Sequence, residues 1–350
     1  MKFEDIIKAI QPLDEAAMRA ARARQDSLTK PRGSLGRLEE LSIQLAGMKA
    51  DPLPSVERKA VIVMVADHGV TLEGVSAYPA DVTRQMVLNF LRGGAAINVL
   101  AHQARARVTI VDIGVASDFE PLPGLIRRKV MCGTRNLARG PAMGREEAEQ
   151  ALQVGMDVLQ KEADQGLDLV ATGDMGIGNT TPSSAIAAAM TGLSVAQVVG
   201  RGTGIDNTGL EHKRNVIGQA LAVNQPNAND AMDVLHKVGG LEIAGLAGVM
   251  IAAASRRIPI ILDGFISTAA AMIAVGLAPG VREYLIAAHR SVEIGHRVML
   301  QHLNLVPLLD LNMRLGEGTG AVLAFHLIEA STRILREMAT FEEAGVSDKE

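Results

Sequence analysis

The 350-residue chain carries 35 Lys and Arg against 39 Asp and Glu, and this net charge of −4 excludes the basic surface typical of nucleic-acid-binding proteins. Aromatic residues make up only 2% of the chain, which predicts an aliphatic core, and the single Cys132 excludes an intramolecular disulfide and a cysteine-based zinc site. Because no apolar run reaches about 18 residues and the N-terminus lacks a signal-peptide pattern, we expect a soluble cytoplasmic protein without nucleic-acid or membrane partners.

The first fifty residues are predicted to be helical. Residues 14–24 are rich in Ala and Arg, and residues 35–48 place apolar side chains at helical spacing. The segment 30–36 between them contains Pro and Gly, which predicts a turn in which Ser34 caps the second helix. Residues 51–54 are typical of a linker.

Five short apolar runs follow and are predicted to be strands: residues 60–66, 107–113, 167–171, 258–262 and 284–288. Each run is apolar throughout, as parallel strands buried on both faces are. Helix-length segments separate them, at residues 82–101, 145–165, 184–191 and 241–254. This alternation predicts a three-layer α/β/α fold with a parallel, Rossmann-like sheet, whose ligands bind at the carboxyl ends of the strands.

The last part of the chain is predicted to be helical again. A long helix is expected over residues 318–338 and a frayed tail over residues 339–350. Because both ends of the chain are helical, we expect them to form a small domain together. The predicted division is therefore residues 1–54 and 291–350 for the small helical domain and residues 55–290 for the sheet domain.

Two glycine-rich turns are candidate phosphate sites. Residues 172–185 combine small residues and hydroxyls before an Ala-rich helix, whose N-terminus would favour an anion, although a capped helix after a flexible turn has the same pattern. Residues 200–206 precede Lys213, which is either a mobile charge for phosphate or a solvated surface lysine. The order of the glycines is neither a P-loop nor a dinucleotide fingerprint, so a dehydrogenase is disfavoured.

Three acidic residues stand at the predicted ligand edge. Glu317 lies between two glycines at the predicted start of a helix. The helix dipole alone explains a Glu at this position. A carboxylate in apolar surroundings could also act as a general base. Asp67 and the neighbouring His68 could orient a substrate. A metal would require at least one further ligand, so no metal is expected. Asp263, which precedes Gly264, is either a ligand contact or part of a simple turn.

Seven segments in chain order resemble the nicotinate-nucleotide:dimethylbenzimidazole phosphoribosyltransferases of cobalamin biosynthesis. They are KPRGSLGRLE at 30–39, ADHGV at 66–70, GIGNTTP at 176–182, NQP at 224–226, KVGG at 237–240, LDGF at 262–265 and MRLGEGTG at 313–320. The resemblance implies a glycosyltransferase that moves phosphoribose from nicotinate mononucleotide to 5,6-dimethylbenzimidazole, which yields α-ribazole 5′-phosphate and nicotinate. It also implies a homodimer that acts on small molecules and uses no cofactor.

The resemblance also assigns roles to residues. Glu317 matches the general base, and Asp174 is a second catalytic candidate at a position where related sequences often carry the longer Glu. The expected phosphate and ribose contacts are Gly176, Ile177, Gly178, Asn179, Thr180, Thr181, Gly202, Thr203, Gly204 and Lys213. The expected contacts of the aromatic base are Tyr78, Met86, Leu315 and Gly316.

Two other functions fit parts of the pattern. A nucleotide-binding protein without catalytic activity would retain the phosphate turns but would not need the carboxylate of Glu317. A hydrolase that delivers water to the same nucleotide would need a polar base pocket, which the aliphatic composition does not favour.

Overall fold

The computed structural model describes residues 3–202 and 204–347. Within them lies a parallel sheet of six strands: β1 (Lys59–Ala66), β2 (Ala106–Gly114), β3 (Leu125–Arg127), β4 (Leu169–Met175), β5 (Ile260–Leu262) and β6 (Leu285–Ala287). The strand order is β3-β2-β1-β4-β5-β6, so the order reverses between β1 and β4. Ligands of such sheets bind outside the strand ends at this reversal. The predicted parallel α/β architecture is therefore confirmed.

Fifteen α-helices surround the sheet in the described part of the chain. They are α1 (Phe3–Lys8), α2 (Glu15–Ser27), α3 (Arg37–Lys49), α4 (Asp81–Leu91), α5 (Ala96–Gln103), α6 (Arg145–Asp164), α7 (Thr180–Thr191), α8 (Val195–Val198), α9 (Asn207–Asn224), α10 (Ala231–Val238), α11 (Leu241–Ser255), α12 (Phe265–Leu277), α13 (Ile294–His302), α14 (Thr319–Glu337) and α15 (Phe341–Ala344). Two short 3₁₀ helices cover Gly69–Glu73 and Pro279–Tyr284. None of the helices described is long and apolar enough to cross a lipid bilayer.

Strand β1 shows how the helices cover both faces of the sheet. Residues an odd number of positions apart in a strand point to opposite faces. Met64 lies against α11, where a Cβ at Gly245 would be 3.1 Å from its sulfur, and Val61 lies against Gly318 just before α14. All eight residues of β1 are buried. The helices α11 and α14 therefore lie on opposite faces, which explains why the strand is apolar throughout.

The two ends of the chain meet in a small apolar cluster. Residues from α2, α3 and α14 form it: Ala17, Ala21, Ile43, Ala46 and Leu335. The Arg24 side chain on α2 donates to the carbonyl oxygen of Leu335 at 2.7 Å. These contacts agree with a helical unit built from both termini, although its status as a separate domain stays a prediction, since α14 also packs on β4 and β5.

Four local predictions were wrong. The helix predicted over residues 82–101 is divided into α4 and α5, because Gly93 adopts a φ of 77° after the last turn of α4. The residue that precedes α3 is Gly36 and not Ser34, and no side chain caps this helix. The predicted frayed tail contains α15, whose Glu343 N–H donates to Thr340 Oγ1. Strand β4 continues to Met175 because it pairs with β1 that far.

Candidate active site

A cavity of about 500 Å³ opens beside the carboxyl ends of β4, β5 and β6. Ten of the residues predicted from the sequence line it: Tyr78, Met86, Asp174, Ile177, Asn179, Thr180, Gly202, Leu315, Gly316 and Glu317. They come from segments that are far apart in the chain and meet because parallel strands end at the same edge. The cavity is the candidate active site.

Glu317 is held at this cavity by close backbone packing. Its φ of 63° is left-handed, a conformation that is rare for a residue with a side chain. The Glu317 N–H donates to the carbonyl oxygen of Asp174 at 3.2 Å. A Cβ at Gly173 would lie 2.5 Å from the carbonyl oxygen of Glu317, so only glycine fits at that position of β4. The Glu317 backbone therefore rests directly on the end of β4.

The carboxyl group of Glu317 is shielded from solvent, with 5% of the residue exposed. Its Oε2 accepts from the Ile97 N–H in the first turn of α5 at 3.3 Å. Burial raises the pKa of the Glu317 carboxyl above its ordinary value, and the Ile97 N–H opposes this rise. Sequence reasoning missed Ile97, since α5 begins only where the helix predicted over residues 82–101 breaks.

Asp263 holds the loop that carries Glu317 in place through hydrogen bonds. Its Oδ1 accepts from the N–H groups of Gly320 at 2.7 Å and Ala321 at 3.1 Å, and its Oδ2 accepts from the Gly318 N–H at 3.1 Å. Burial raises the pKa of Asp263 to about 7, although the three N–H groups lower it. Asp263 therefore caps the N-terminus of α14 from the end of β5. The sequence left its role open, and the only signal was an Asp directly after an apolar run.

Asp174 lies near these two carboxyl groups, at the end of β4. Its Oδ2 accepts from Asn179 Nδ2 at 3.0 Å, and a Cβ at Gly316 would lie 3.2 Å from the same oxygen. Burial raises the pKa of Asp174 well above its ordinary value, and the nearby charges of Asp263, Glu242 and Glu317 raise it further. Both effects favour the protonated form of Asp174, which can donate a hydrogen bond as well as accept one.

Lys213 brings the two glycine-rich turns together. The Nζ donates to Thr180 Oγ1 at 2.6 Å, and a Cβ at Gly202 would lie 3.1 Å from the same nitrogen. Only 1% of Lys213 is exposed, so the prediction of a mobile or solvated lysine was wrong. Burial in α9 lowers its pKa to about 8, while the charge of Glu293 raises it. The result is one buried cation at the first turn of α7.

The other predicted phosphate contacts are dispersed. Gly176 and Gly178 line a side cavity of about 100 Å³, and Gly204 lines a neighbouring cavity of about 520 Å³. Thr181 is fully buried and lines none of these three cavities, because it lies one residue inside α7. Thr181 and Gly204 therefore do not line the cavity that contains Glu317, and their contact with phosphate or ribose stays a prediction. Thr203 lies outside the described residues.

Asp67 and His68 lie behind the site. The Nε2 of His68 is 2.9 Å from Glu242 Oε1, and both side chains are fully buried. Asp67 Oδ2 accepts from the Ala116 N–H at 2.8 Å. Neither residue lines the main cavity, so a direct contact with substrate is not supported. Among residues 3–202 and 204–347, no group of three or more His, Cys, Asp or Glu side chains is arranged to hold a metal ion.

The part of the cavity predicted to contact the aromatic base has apolar walls. Tyr78 and Met86 lie on one side, and Leu315 lies beside Glu317. Residues that the sequence did not assign complete the walls: Val82, Met175, Phe265 and Ile266 are apolar, and His289, Ser291, Glu293 and Arg314 are polar. The apolar ones escaped notice because an isolated apolar residue in a helix or strand is typical of a core position.

Comparison with known proteins agrees with this geometry. A family model described as a phosphoribosyltransferase matches residues 10–346. The nicotinate-nucleotide–dimethylbenzimidazole phosphoribosyltransferase of Chloroflexus aurantiacus is 60% identical over 346 residues, which is 99% of each chain. That of Geobacter sp. (strain M21) is 57% identical over 345 residues, again 99% of each chain.

A solved structure is similar over nearly the whole fold. The crystal structure of CobT from Thermus thermophilus superposes with a TM-score of 0.93 and 50% sequence identity, and the match covers 95% of this chain and 100% of that one. The resemblance seen in the seven sequence segments is therefore confirmed. This chain belongs to the nicotinate-nucleotide–dimethylbenzimidazole phosphoribosyltransferase family.

Proposed function

We propose that this enzyme transfers the phosphoribosyl group of nicotinate mononucleotide to 5,6-dimethylbenzimidazole, and so forms α-ribazole 5′-phosphate for cobalamin biosynthesis. The observation that carries the proposal is that Glu317 and Thr180 line one cavity, with the buried Lys213 directly behind Thr180. Glu317 stands at an apolar slot, and Lys213 with Thr180 stands at the glycine-rich turns. This arrangement matches a substrate that has an apolar ring at one end and a phosphate at the other.

The phosphate is bound by charge and by backbone amides. The phosphate lies at the first turn of α7 and the Gly202 turn, and the Lys213 ammonium stands next to both. A buried ammonium binds a phosphate dianion more strongly than an exposed one, because water competes less for both ions. The phosphate thus positions the ribose for the reaction at C1′.

The reaction at C1′ needs one base and no acid. A nitrogen of the benzimidazole forms the new bond to C1′, and the bond to nicotinate breaks with its electron pair passing to the pyridine nitrogen. The second ring nitrogen of the same benzimidazole carries a proton, which it gives to Glu317. Burial raises the pKa of Glu317 towards the range in which a carboxylate can act as a general base. Since a β-nucleotide becomes an α-riboside, the benzimidazole attacks C1′ from the face opposite nicotinate. The carbonyl oxygen of Asp174, which accepts from the Glu317 N–H, supports this geometry.

The proposed reaction can be tested directly. Nicotinate mononucleotide is incubated with and without dimethylbenzimidazole, and both nicotinate and α-ribazole 5′-phosphate are measured by chromatography. Equal amounts of both products, formed only with the acceptor, are expected. Nicotinate release without acceptor would indicate a hydrolase, and no release at all would leave a nucleotide-binding protein. The homodimeric state and the cytoplasmic location stay predictions.

Asp263→Asn tests the fastening of the Glu317 loop. Asn keeps one acceptor oxygen and turns an NH₂ group towards backbone N–H donors, so we expect kcat to fall about 10- to 100-fold and the free energy of unfolding to fall by about 1–3 kcal/mol. The KM for nicotinate mononucleotide should change little. Asp230→Asn is the matched control, because Asp230 caps α10 through the Met232 and Asp233 N–H groups, away from the cavity. A kcat equal to that of the wild type in Asp263→Asn would refute the positioning role.

A further inference from the structure

Glu293 is a carboxylate in the cavity wall to which the reaction described so far gives no role. It occupies the N-cap position of α13, yet its side chain does not cap that helix. It points instead to the second glycine-rich turn, where a Cβ at Gly200 would overlap Glu293 Oε2. Glu293 lines both the main cavity and the neighbouring cavity that contains Gly204. The carboxylate is therefore placed beside the phosphate end of the site.

The hydrogen bonding of Glu293 is incomplete. Only 7% of the residue is exposed. The Gly202 N–H forms a hydrogen bond with the carboxylate, but none of the residues described donates one to its Oε2. The nearby ammonium of Lys213 donates to Thr180 instead, and Arg314 Nη1 donates to the carbonyl oxygen of Gly202 at 3.4 Å. A buried carboxylate oxygen without a donor is unfavourable, and such a group in a native structure calls for an explanation.

The substrate of the proposed function offers few donors that a carboxylate could accept. Phosphate and nicotinate are anions that accept hydrogen bonds, and the pyridinium nitrogen carries no proton. The ribose hydroxyls are the only donors of nicotinate mononucleotide at neutral pH. The ribose must lie between the phosphate at Lys213 and the base at Glu317, and Glu293 lines that same cavity. Carboxylates also bind ribose hydroxyls in dinucleotide-binding folds.

We propose that Glu293 accepts hydrogen bonds from the ribose hydroxyls and makes the enzyme selective for ribonucleotides over 2′-deoxyribonucleotides. The inference rests on the proposed function. The Oε2 atom packs on Gly200, and Oε1 stands farther from that glycine. Removing a hydroxyl from the substrate leaves this acceptor unpaired in a buried place, and a site built around a hydrogen bond rejects such an analogue strongly.

The test is the ratio of kcat/KM for nicotinate mononucleotide to that for its 2′-deoxy analogue, measured in the wild type, Glu293→Gln and Glu293→Ala. We expect both variants to lower this ratio by about 10- to 100-fold, chiefly because kcat/KM for the ribonucleotide falls. Both kcat/KM values of a ratio are measured on the same protein preparation, so a smaller fraction of folded enzyme lowers both values equally and leaves the ratio unchanged. Glu211→Gln, at an exposed position on α9, is the control and should keep the wild-type ratio.

Two results would overturn the inference. An equal loss of activity on both substrates would show that Glu293 acts only as a counter-charge for Lys213. A ratio in the variants equal to that of the wild type would show that the carboxylate does not meet the ribose. If a variant has no measurable turnover, the ratio of the calorimetric Kd values for the two nucleotides replaces the kcat/KM ratio and is compared with the wild type in the same way. Absence of turnover in the wild type would contradict the proposed function instead.

Discussion

Replacing Glu317 by Gln is expected to lower kcat by about 10²–10⁴, the usual contribution of a general base, and to leave the Kd for nicotinate mononucleotide within about threefold of the wild-type value. Gln has nearly the same shape and keeps an oxygen that can accept from the Ile97 N–H. It cannot take the proton of the benzimidazole. Steady-state kinetics and calorimetric binding separate the two effects.

The pH dependence of the wild type provides a second measurement of the same role. Glu317 must be deprotonated to act, and its pKa lies above the ordinary value because of burial. The value of kcat should therefore fall on the acid side at a pH above 4.5, the usual pKa of Glu. Glu337→Gln, at an exposed position of α14, is the control and should leave kcat unchanged. Turnover of Glu317→Gln within a few-fold of the wild type would exclude Glu317 as the base.

Replacing Lys213 by Met is expected to raise the Kd for nicotinate mononucleotide by about 10²–10³, because a buried charge partner of the phosphate is lost. Met fills most of the same volume in α9, so the fold should be retained. The value of kcat at saturating nucleotide should fall much less than the affinity does. Lys161→Met, at an exposed position of α6, is the control and should bind as the wild type does.

The proposed contact of Lys213 with the phosphate also predicts how binding depends on pH. Its pKa of about 8 in the free enzyme means that the ammonium form, which binds phosphate, predominates below pH 8. Above pH 8 the affinity of the wild type should fall, by up to about tenfold for each further pH unit, whereas Lys213→Met should show no such fall. Calorimetry between about pH 7 and 9.5 measures the difference. A flat profile in the wild type would show that Lys213 does not contact the phosphate.

The sequence predicted the sheet well because each strand is buried on both faces and therefore stands out as an apolar run. Strand β1 is the clearest example, with all eight residues buried. The three-residue β3 was missed, since Leu125–Arg127 is too short to form a recognisable run. The end of β4 was misplaced because Gly173 and Asp174 resemble a turn in composition, and only the pairing with β1 keeps them in the strand.

The candidate site was predicted less completely, for a different reason. Glycine and hydroxyl patterns pointed to the candidate phosphate turns, and two flanking glycines pointed to Glu317. The partners of Glu317 come from elsewhere in the chain: Ile97 from a helix break, and Asp263 from the next strand of the sheet. The burial of Lys213 depends on the packing of α9 and leaves no local pattern. A single sequence does not show which distant segments contact each other in the fold.

The left-handed backbone at Glu317 predicts an inverse relation between stability and activity at this position. Glu317→Gly and Glu317→Ala both remove the carboxylate, but only Gly adopts a φ of 63° without steric cost. We therefore expect the Gly variant to be more stable than the Ala variant by about 1–2 kcal/mol, as measured by chemical denaturation. Equal stabilities would show that the backbone at this position is not strained.

This relation has an evolutionary consequence. Residue 317 is a position where the fold itself favours glycine, and three neighbouring glycines already show how readily the segment accepts it. A copy of the gene released from selection for catalysis would gain stability by replacing this Glu with Gly. A relative with Gly at this position is therefore expected to have kept the fold and lost the reaction.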